Sequence, residues 1–123
     1  MNKRYIIITA LIIMVLTGCS KSSYIIKNGS IEKEKNKISG FYDYFNGYKE
    51  YYINLDKGEH EVTIETNSDD GNLSILINEE KVFNSKESDI KLQKLEVKNK
   101  KNKIRVEGDN HQGDFIITWI KSE

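Results

Sequence analysis

The chain has 123 residues, room for one domain, with 19 Lys and Arg against 19 Asp and Glu and no proline. A formal charge of zero supplies no long-range field for gripping a polyanion, which argues against a nucleic-acid partner. A single cysteine excludes an intrachain disulfide and a thiolate metal cluster, so the core must stabilise the domain unaided.

The N-terminus accounts for that cysteine. Met1-Asn2-Lys3-Arg4 is a short cationic segment, and Tyr5 to Leu16 is an apolar stretch. As a helix that stretch would rise roughly 18 Å, short of the ~30 Å hydrocarbon core, so it reads as a signal-peptide segment and not a permanent span. Leu16-Thr17-Gly18-Cys19 closes it and resembles the lipobox of bacterial lipoproteins. That resemblance implies cleavage between Gly18 and Cys19, removal of residues 1–18, and diacylglyceryl and fatty-acyl (palmitate-type) chains on Cys19. The chain would then be lipid-anchored at the extracytoplasmic face of the cell membrane, two or more acyl chains being enough for stable attachment.

Residues 19–36 lack sustained periodicity and are expected mostly to form a tether. About 18 extended residues at ~3.3 Å each would reach ~60 Å and lift the domain clear of the headgroups. The alternative is a first edge strand at Ile25-Ile26.

Residues 37–123 are expected to form the domain. Hydrophobic residues alternate with period two between turn signals, the all-β pattern. Val62 and Ile64 alternate with Glu61, Thr63 and Glu65 in a strand over Glu59–Thr66. Asn67-Ser68-Asp69-Asp70-Gly71 reads as a turn, and Leu73, Ile75 and Ile77 continue in a further strand. Asn78-Glu79-Glu80-Lys81 is a hairpin into Val82-Phe83. Ile90 and Leu92 differ in parity from Leu95 and Val97, which calls for a bulge near Gln93-Lys94 or a short helical turn there. Asn99 to Asn102 turns the chain toward Ile104 and Val106. Gly108 to Asp114 reads as a glycine-bracketed hairpin connection or end loop. Asp114–Ile120 is almost continuously apolar, as for a central strand covered on both faces. Seven or eight short strands in this length predict an antiparallel two-sheet sandwich, jelly-roll-like.

Val106, Gly108, Gly113, Phe115, Ile117 and Trp119, with Lys37-Ile38-Ser39-Gly40 at the domain's start, resemble small envelope lipoproteins of Bacillus and Clostridium relatives. The proline-free, Lys-, Asn-, Ile- and Glu-rich composition likewise resembles that of proteins from low-GC Gram-positive bacteria. This resemblance implies a jelly-roll or pre-peptidase-C-terminal-like sandwich and carries no catalytic residue.

The candidate binding residues are aromatic. Phe41, Tyr42, Tyr44, Phe45, Tyr48, Tyr51 and Tyr52 crowd one segment, more rings than one core face can take. By strand parity Tyr42 and Tyr44 face with Ile38, and Phe41 and Phe45 face away. Tyr51 faces with Ile53 and Leu55, leaving Tyr48 and Tyr52 as the expected ligand-binding pair. Such rings either shield a sheet, anchor a protein or stack on a sugar. The Asn67–Asn72 cluster misses calcium-loop spacing, so no metal or cofactor is expected. His60 shares parity with Val62 and should cap the core. No nucleophile–base pair or paired carboxylates stand out, which points away from an enzyme. The leading expectation is a non-catalytic interaction module at the cell envelope, for an envelope protein or a wall polymer. The alternatives are a wall-glycan-binding accessory lipoprotein, or a precursor whose Ile12–Gly18 fragment is released as a pheromone.

Overall fold

The computed structural model describes residues 22–122, so the signal segment, Cys19 and the Ile12–Gly18 fragment lie outside the described residues. Seven strands follow one another: β1 (Ser22–Lys27), β2 (Ser30–Glu34), β3 (Lys37–Asn54), β4 (Gly58–Ile77), β5 (Glu80–Ser85), β6 (Asp89–Val97) and β7 (Lys101–Lys121). All pairings are antiparallel. The described residues contain no helix.

β3, β4 and β7 have 18, 20 and 21 residues. At ~3.3 Å per residue a straight strand of that length would span roughly 60–70 Å, far more than a domain of this size can house. They bend instead, and the ladder shows where. Register shifts fall between Tyr42 and Gly47 of β3 and between Ser68 and Asn72 of β4, opposite residues 108–113 of β7. The bends lie side by side, because β7 is paired to β3 on one edge and β4 on the other.

Each long strand therefore contributes to two sheets. On one side of the bend the order is β2-β3-β7-β4-β6, and on the other β1-β3-β7-β4-β5. Alternate residues of the first sheet (Ile31, Ile38, Val62, Ile64, Phe115, Ile117) and of the second (Phe45, Ile53, Leu73, Ile75, Ile104, Val106) are buried in one cluster. With no helix to cover these faces, the two sheets cover each other, as in a sandwich. The Tyr51 hydroxyl of the second sheet donates to the Ile31 carbonyl of the first at 3.4 Å. Two glycines make room where rings cross the ladder. Gly40 lies opposite Phe115 and under its ring, and Gly108 lies under the ring of Phe45.

The sandwich expected from the sequence is thus present, with seven strands and different boundaries. The segment read as a tether supplies β1 and β2, so the sheet begins at Ser22 and not at Lys37. The Asn67–Gly71 turn and the Gly108–Asp114 hairpin are bends inside continuous strands. No bulge or helical turn interrupts β6, whose register with β4 runs unshifted from Asp89 to Val97. Leu95 and Val97 therefore face inward, and Ile90 and Leu92 are exposed. β7 is central, but Ile116 and Ile120 lie on its open outer face.

Trp119 is 6% exposed, on β7 opposite Val62 of β4. Trp119→Ala should cost about 3–5 kcal/mol, a large share of the ~5–15 kcal/mol typical of a domain. Denaturant unfolding should show that loss; a mutant as stable as wild type would mean the ring carries little of the core.

Candidate functional site

The bend is where polar side chains gather. His111 stands on β7 opposite Phe45 and is fully buried. Its Nδ1 is 2.7 Å from the hydroxyl of Tyr42 on β3, and its Nε2 is 2.7 Å from the Ser68 hydroxyl on β4. One imidazole thus ties together the three strands at the point where all of them turn. A neutral ring suits this, with one nitrogen donating and the other accepting. Burial pushes the His111 pKa below its ordinary value, against the opposing pull of Asp114 and Asp69. Burial, reinforced by Asp114, also pushes the Tyr42 phenol up, so it stays protonated.

Amide side chains stitch the rest of the bend where the ladder lapses. Asn67 donates to Asp114 at 2.8 Å, Asn28 donates to Asp43 at 2.8 Å, and the Asn110 backbone N–H donates to the Asn46 side chain at 3.1 Å. Tyr44 donates to the Asn110 side-chain oxygen. Gly71 (φ +78°) and Gly113 (φ +146°) supply backbone that other residues adopt with strain, and a Cβ at either would strike backbone of the neighbouring strand.

Beside the bend, on the outer face of the second sheet, Asn46, Gly47, Tyr48, Asn72, Ser74, Glu107, Gly108 and Asp109 line an open cleft of about 370 Å3. Register explains its make-up. Tyr48 pairs with Glu107, and Glu107 with Ser74, so three neighbouring strands present one outward row. A second cleft of about 450 Å3 shares Asn72 and Asp109 with the first and continues past Asp69, Asp70 and Lys86.

The two tyrosines singled out in the sequence both lie on this outer face, but they part company. Tyr48 lines the cleft and is half-buried. The Arg105 guanidinium covers one face of its ring at 3.7 Å from the centroid. Arg105 is itself held by Glu50 at 3.3 Å and Glu107 at 3.1 Å. Tyr52 is 38% exposed, with the Lys101 ammonium 4.3 Å from its ring centroid. It sits four residues, roughly 13 Å, farther from the bend. The parity argument fails for Phe45, which the register shift after Tyr42 turns into the core. Phe41 does face outward, at 65% exposure. His60 is buried at the sandwich end away from the bend, as expected, its Nδ1 3.3 Å from the Gly58 carbonyl.

Sequence reasoning missed Asn46, Ser74 and Glu107, and weighed Asn72 only as part of a calcium-type loop. Each lies on an outward parity or beside a bend glycine, but only long-range register brings them together. It also missed the Ser68–His111 contact, whose members are 43 residues apart. Among the described residues no group of three or more His, Cys, Asp or Glu converges to hold a metal ion.

No protein-family model and no curated protein matches the sequence. Solved structures do resemble it. A family 61 carbohydrate-binding module in complex with β-1,4-galactotriose superposes with a TM-score of 0.54 at 14% identity, covering 85% of this chain and 90% of that one. A family 35 carbohydrate-binding module from Clostridium thermocellum gives a TM-score of 0.48 at 12% identity, covering 85% and 100%. A family 36 module in complex with calcium and xylotriose gives 0.42 at 13% identity, covering 80% and 99%. At this identity the first likeness is one of fold: the two chains share a β-sandwich architecture.

The buried imidazole generates a pH prediction. A histidine held neutral contributes stability that is complete above its unfolded pKa of about 6.5 and is lost as pH falls below that value toward the depressed folded one. The wild-type melting temperature should therefore drop between pH 7 and pH 5 more than that of His111→Gln, which keeps polar atoms but does not titrate. Parallel pH profiles for the two proteins would show that the imidazole does not set the acid sensitivity.

Proposed function

We propose that this chain is a lipid-anchored, non-catalytic module of the bacterial cell envelope that binds a glycan in the cleft beside Tyr48. The observation that carries the reading is the chemistry of that cleft. An aromatic ring borders an open site whose other walls are amide, hydroxyl and carboxylate side chains. A sugar offers an apolar C–H face to a ring and hydroxyls to hydrogen-bonding groups, so these residue types in one cleft match it better than an apolar protein hot spot. The volume falls within the usual range of small-ligand clefts. The shared architecture with a module that holds β-1,4-galactotriose supports a sugar over a protein partner.

The anchor rests on the Leu16-Thr17-Gly18-Cys19 motif behind its apolar segment. Non-catalytic action is supported by the state of the one serine–histidine pair among the described residues, Ser68–His111. The ring is fully buried, and its other nitrogen is engaged by a phenol instead of a carboxylate that could stabilise an imidazolium. It is built to hold strands.

Two tests follow. Cys19→Ala should leave an unprocessed precursor that incorporates no labelled fatty acid; a lipidated mutant, or a wild type free of lipid, would refute the anchor. In the second, Tyr48→Ser and Tyr52→Ser are compared on a glycan array and by calorimetry with purified wall polysaccharide. Tyr48→Ser should weaken binding about two- to tenfold, as expected for loss of one stacked ring. Tyr52→Ser should leave it unchanged. Unaltered binding by a folded Tyr48→Ser protein would remove the cleft from consideration.

A further inference from the structure

β1 starts at Ser22, only three residues after Cys19. Three residues span at most about 10 Å. If Cys19 carries lipid, the domain cannot ride on a long tether and must rest against the bilayer. What remains to be found is which part of it meets the headgroups.

Strand direction and charge give the same answer. β1 runs antiparallel to β3, with Ser22 opposite Lys49, so the chain enters β1 from the side of Asn54, away from the bend. At that end Asn54 pairs with Lys101, and the Leu55 N–H donates to the Lys100 carbonyl, which binds the β3–β4 turn to the β6–β7 loop. This loop carries Lys98, Lys100, Lys101 and Lys103 with no acidic residue among them, and Lys57 stands on the adjoining turn beside the exposed Asp56, while the exposed Glu96 precedes the loop. Lys98, Lys100, Lys101 and Lys57 are all exposed. Tyr52 lies in the same patch beneath Lys101. Glu79 is the nearest acidic group from the β4–β5 hairpin, and its carboxylate is taken by Lys103 at 3.1 Å. The opposite end is acidic: Asp43, Asp69, Asp70 and Asp109 are exposed around the bend, with Lys27 and Lys86 the nearby cations. The molecule is near neutral in total, with four lysines concentrated on the 98–103 loop.

We infer that the lysine-rich end formed by the 98–103 loop, Lys57 and Tyr52 is a docking surface for an anionic phospholipid bilayer, engaged once Cys19 is lipidated. The inference rests on the lipid-anchor reading and extends it. Exposed lysines close to a negatively charged leaflet are attracted within about one Debye length, ~8 Å at physiological salt, and the short connection keeps the domain near the headgroups. An amphipathic tyrosine belongs at the same level. The acidic bend and the cleft beside Tyr48 then point away from the bilayer, toward the wall. This arrangement also gives Tyr48 and Tyr52 different surroundings: one borders the cleft and the other the headgroups.

The test is amine footprinting of the full-length lipidated protein in vesicles of phosphatidylglycerol and, separately, of phosphatidylcholine. An acetylating reagent is applied and each lysine is read by mass spectrometry. On phosphatidylglycerol, acetylation of Lys98, Lys100 and Lys101 should slow by about fivefold or more relative to phosphatidylcholine, and high salt should abolish the difference. Lys86 at the bend should react equally on both. Lys98→Glu with Lys100→Glu should erase protection of Lys101 while fatty-acid incorporation at Cys19 persists. Equal labelling on both lipids by a protein shown to be lipidated would overturn the docking surface and leave the anchor standing. Absence of lipid on Cys19 would overturn the anchor, and the docking surface with it. Protection of Lys86 in place of the 98–103 loop would invert the orientation and refute the assignment. Protection of the loop by soluble wall polymer but not by phosphatidylglycerol would assign the lysines to a different partner and refute it equally.

Discussion

The sandwich depends on three long strands turning side by side at the same level. A strand that bends alone would break hydrogen bonds to a straight neighbour, so β3, β4 and β7 must bend together or not at all. The Tyr42–His111–Ser68 chain takes one side chain from each of them. Among the described residues no buried side-chain nitrogen or oxygen is left without a hydrogen-bond partner. An imidazole suits the middle position because it presents two hydrogen-bonding nitrogens on opposite sides of a flat ring, a reach that a hydroxyl lacks. Having no edge free, the ring also gains rigidity from its neighbours: Tyr42 packs edge-on to it at 5.7 Å and against Phe45 at 5.3 Å.

This constraint also places the cleft. A bulge adds a residue to one strand and re-aims the side chains that follow. Just past the bend, Asn46 and Tyr48 on β3, Asn72 and Ser74 on β4, and Glu107 and Asp109 on β7 converge on the outer surface. The side chains of the candidate cleft thus occupy strands next to the cross-linked bend.

Much of the fold could be read from the sequence where one strand has one wet face and one dry face. Val62 and Ile64, or Leu73, Ile75 and Ile77, alternate cleanly and are buried as the alternation requires. Legibility ended at bends and edges. A bulge slips parity by one, so Phe45 reads as outward and lies in the core. The acidic, glycine-marked stretches at 67–71 and 108–114 look like hairpin turns because bends within a strand use the same residues, for the same backbone reasons. β1, β2 and β6 are edge strands paired on one side only, and their mixed composition resembles a tether or an ambiguous segment. In the candidate site Tyr48 was visible as a ring the core could not take. Its companions were not, because Glu107 and Ser74 reach it only through the β3–β7–β4 register, information that no local window contains.

The cleft and the stability of the second sheet share residues. Glu50 is only 4% exposed on the outward parity of β3, a position that would be unfavourable for a lone carboxylate. Arg105 and Lys103 compensate it at 3.3 and 3.6 Å, and Arg105 spans from Glu50 to Glu107 across the ring of Tyr48. The guanidinium cannot leave Tyr48 without exposing the buried carboxylate to a worse environment, so the ring is held in place from one side and free only on the other. A ligand meeting Tyr48 encounters a surface whose side-chain entropy has already been given up in folding, and binding need not immobilise it again. The same lock fixes Glu107, an acceptor on the cleft wall, by holding one of its oxygens against Arg105. The buried ion network, costly in isolation, is thereby what gives the cleft a defined shape.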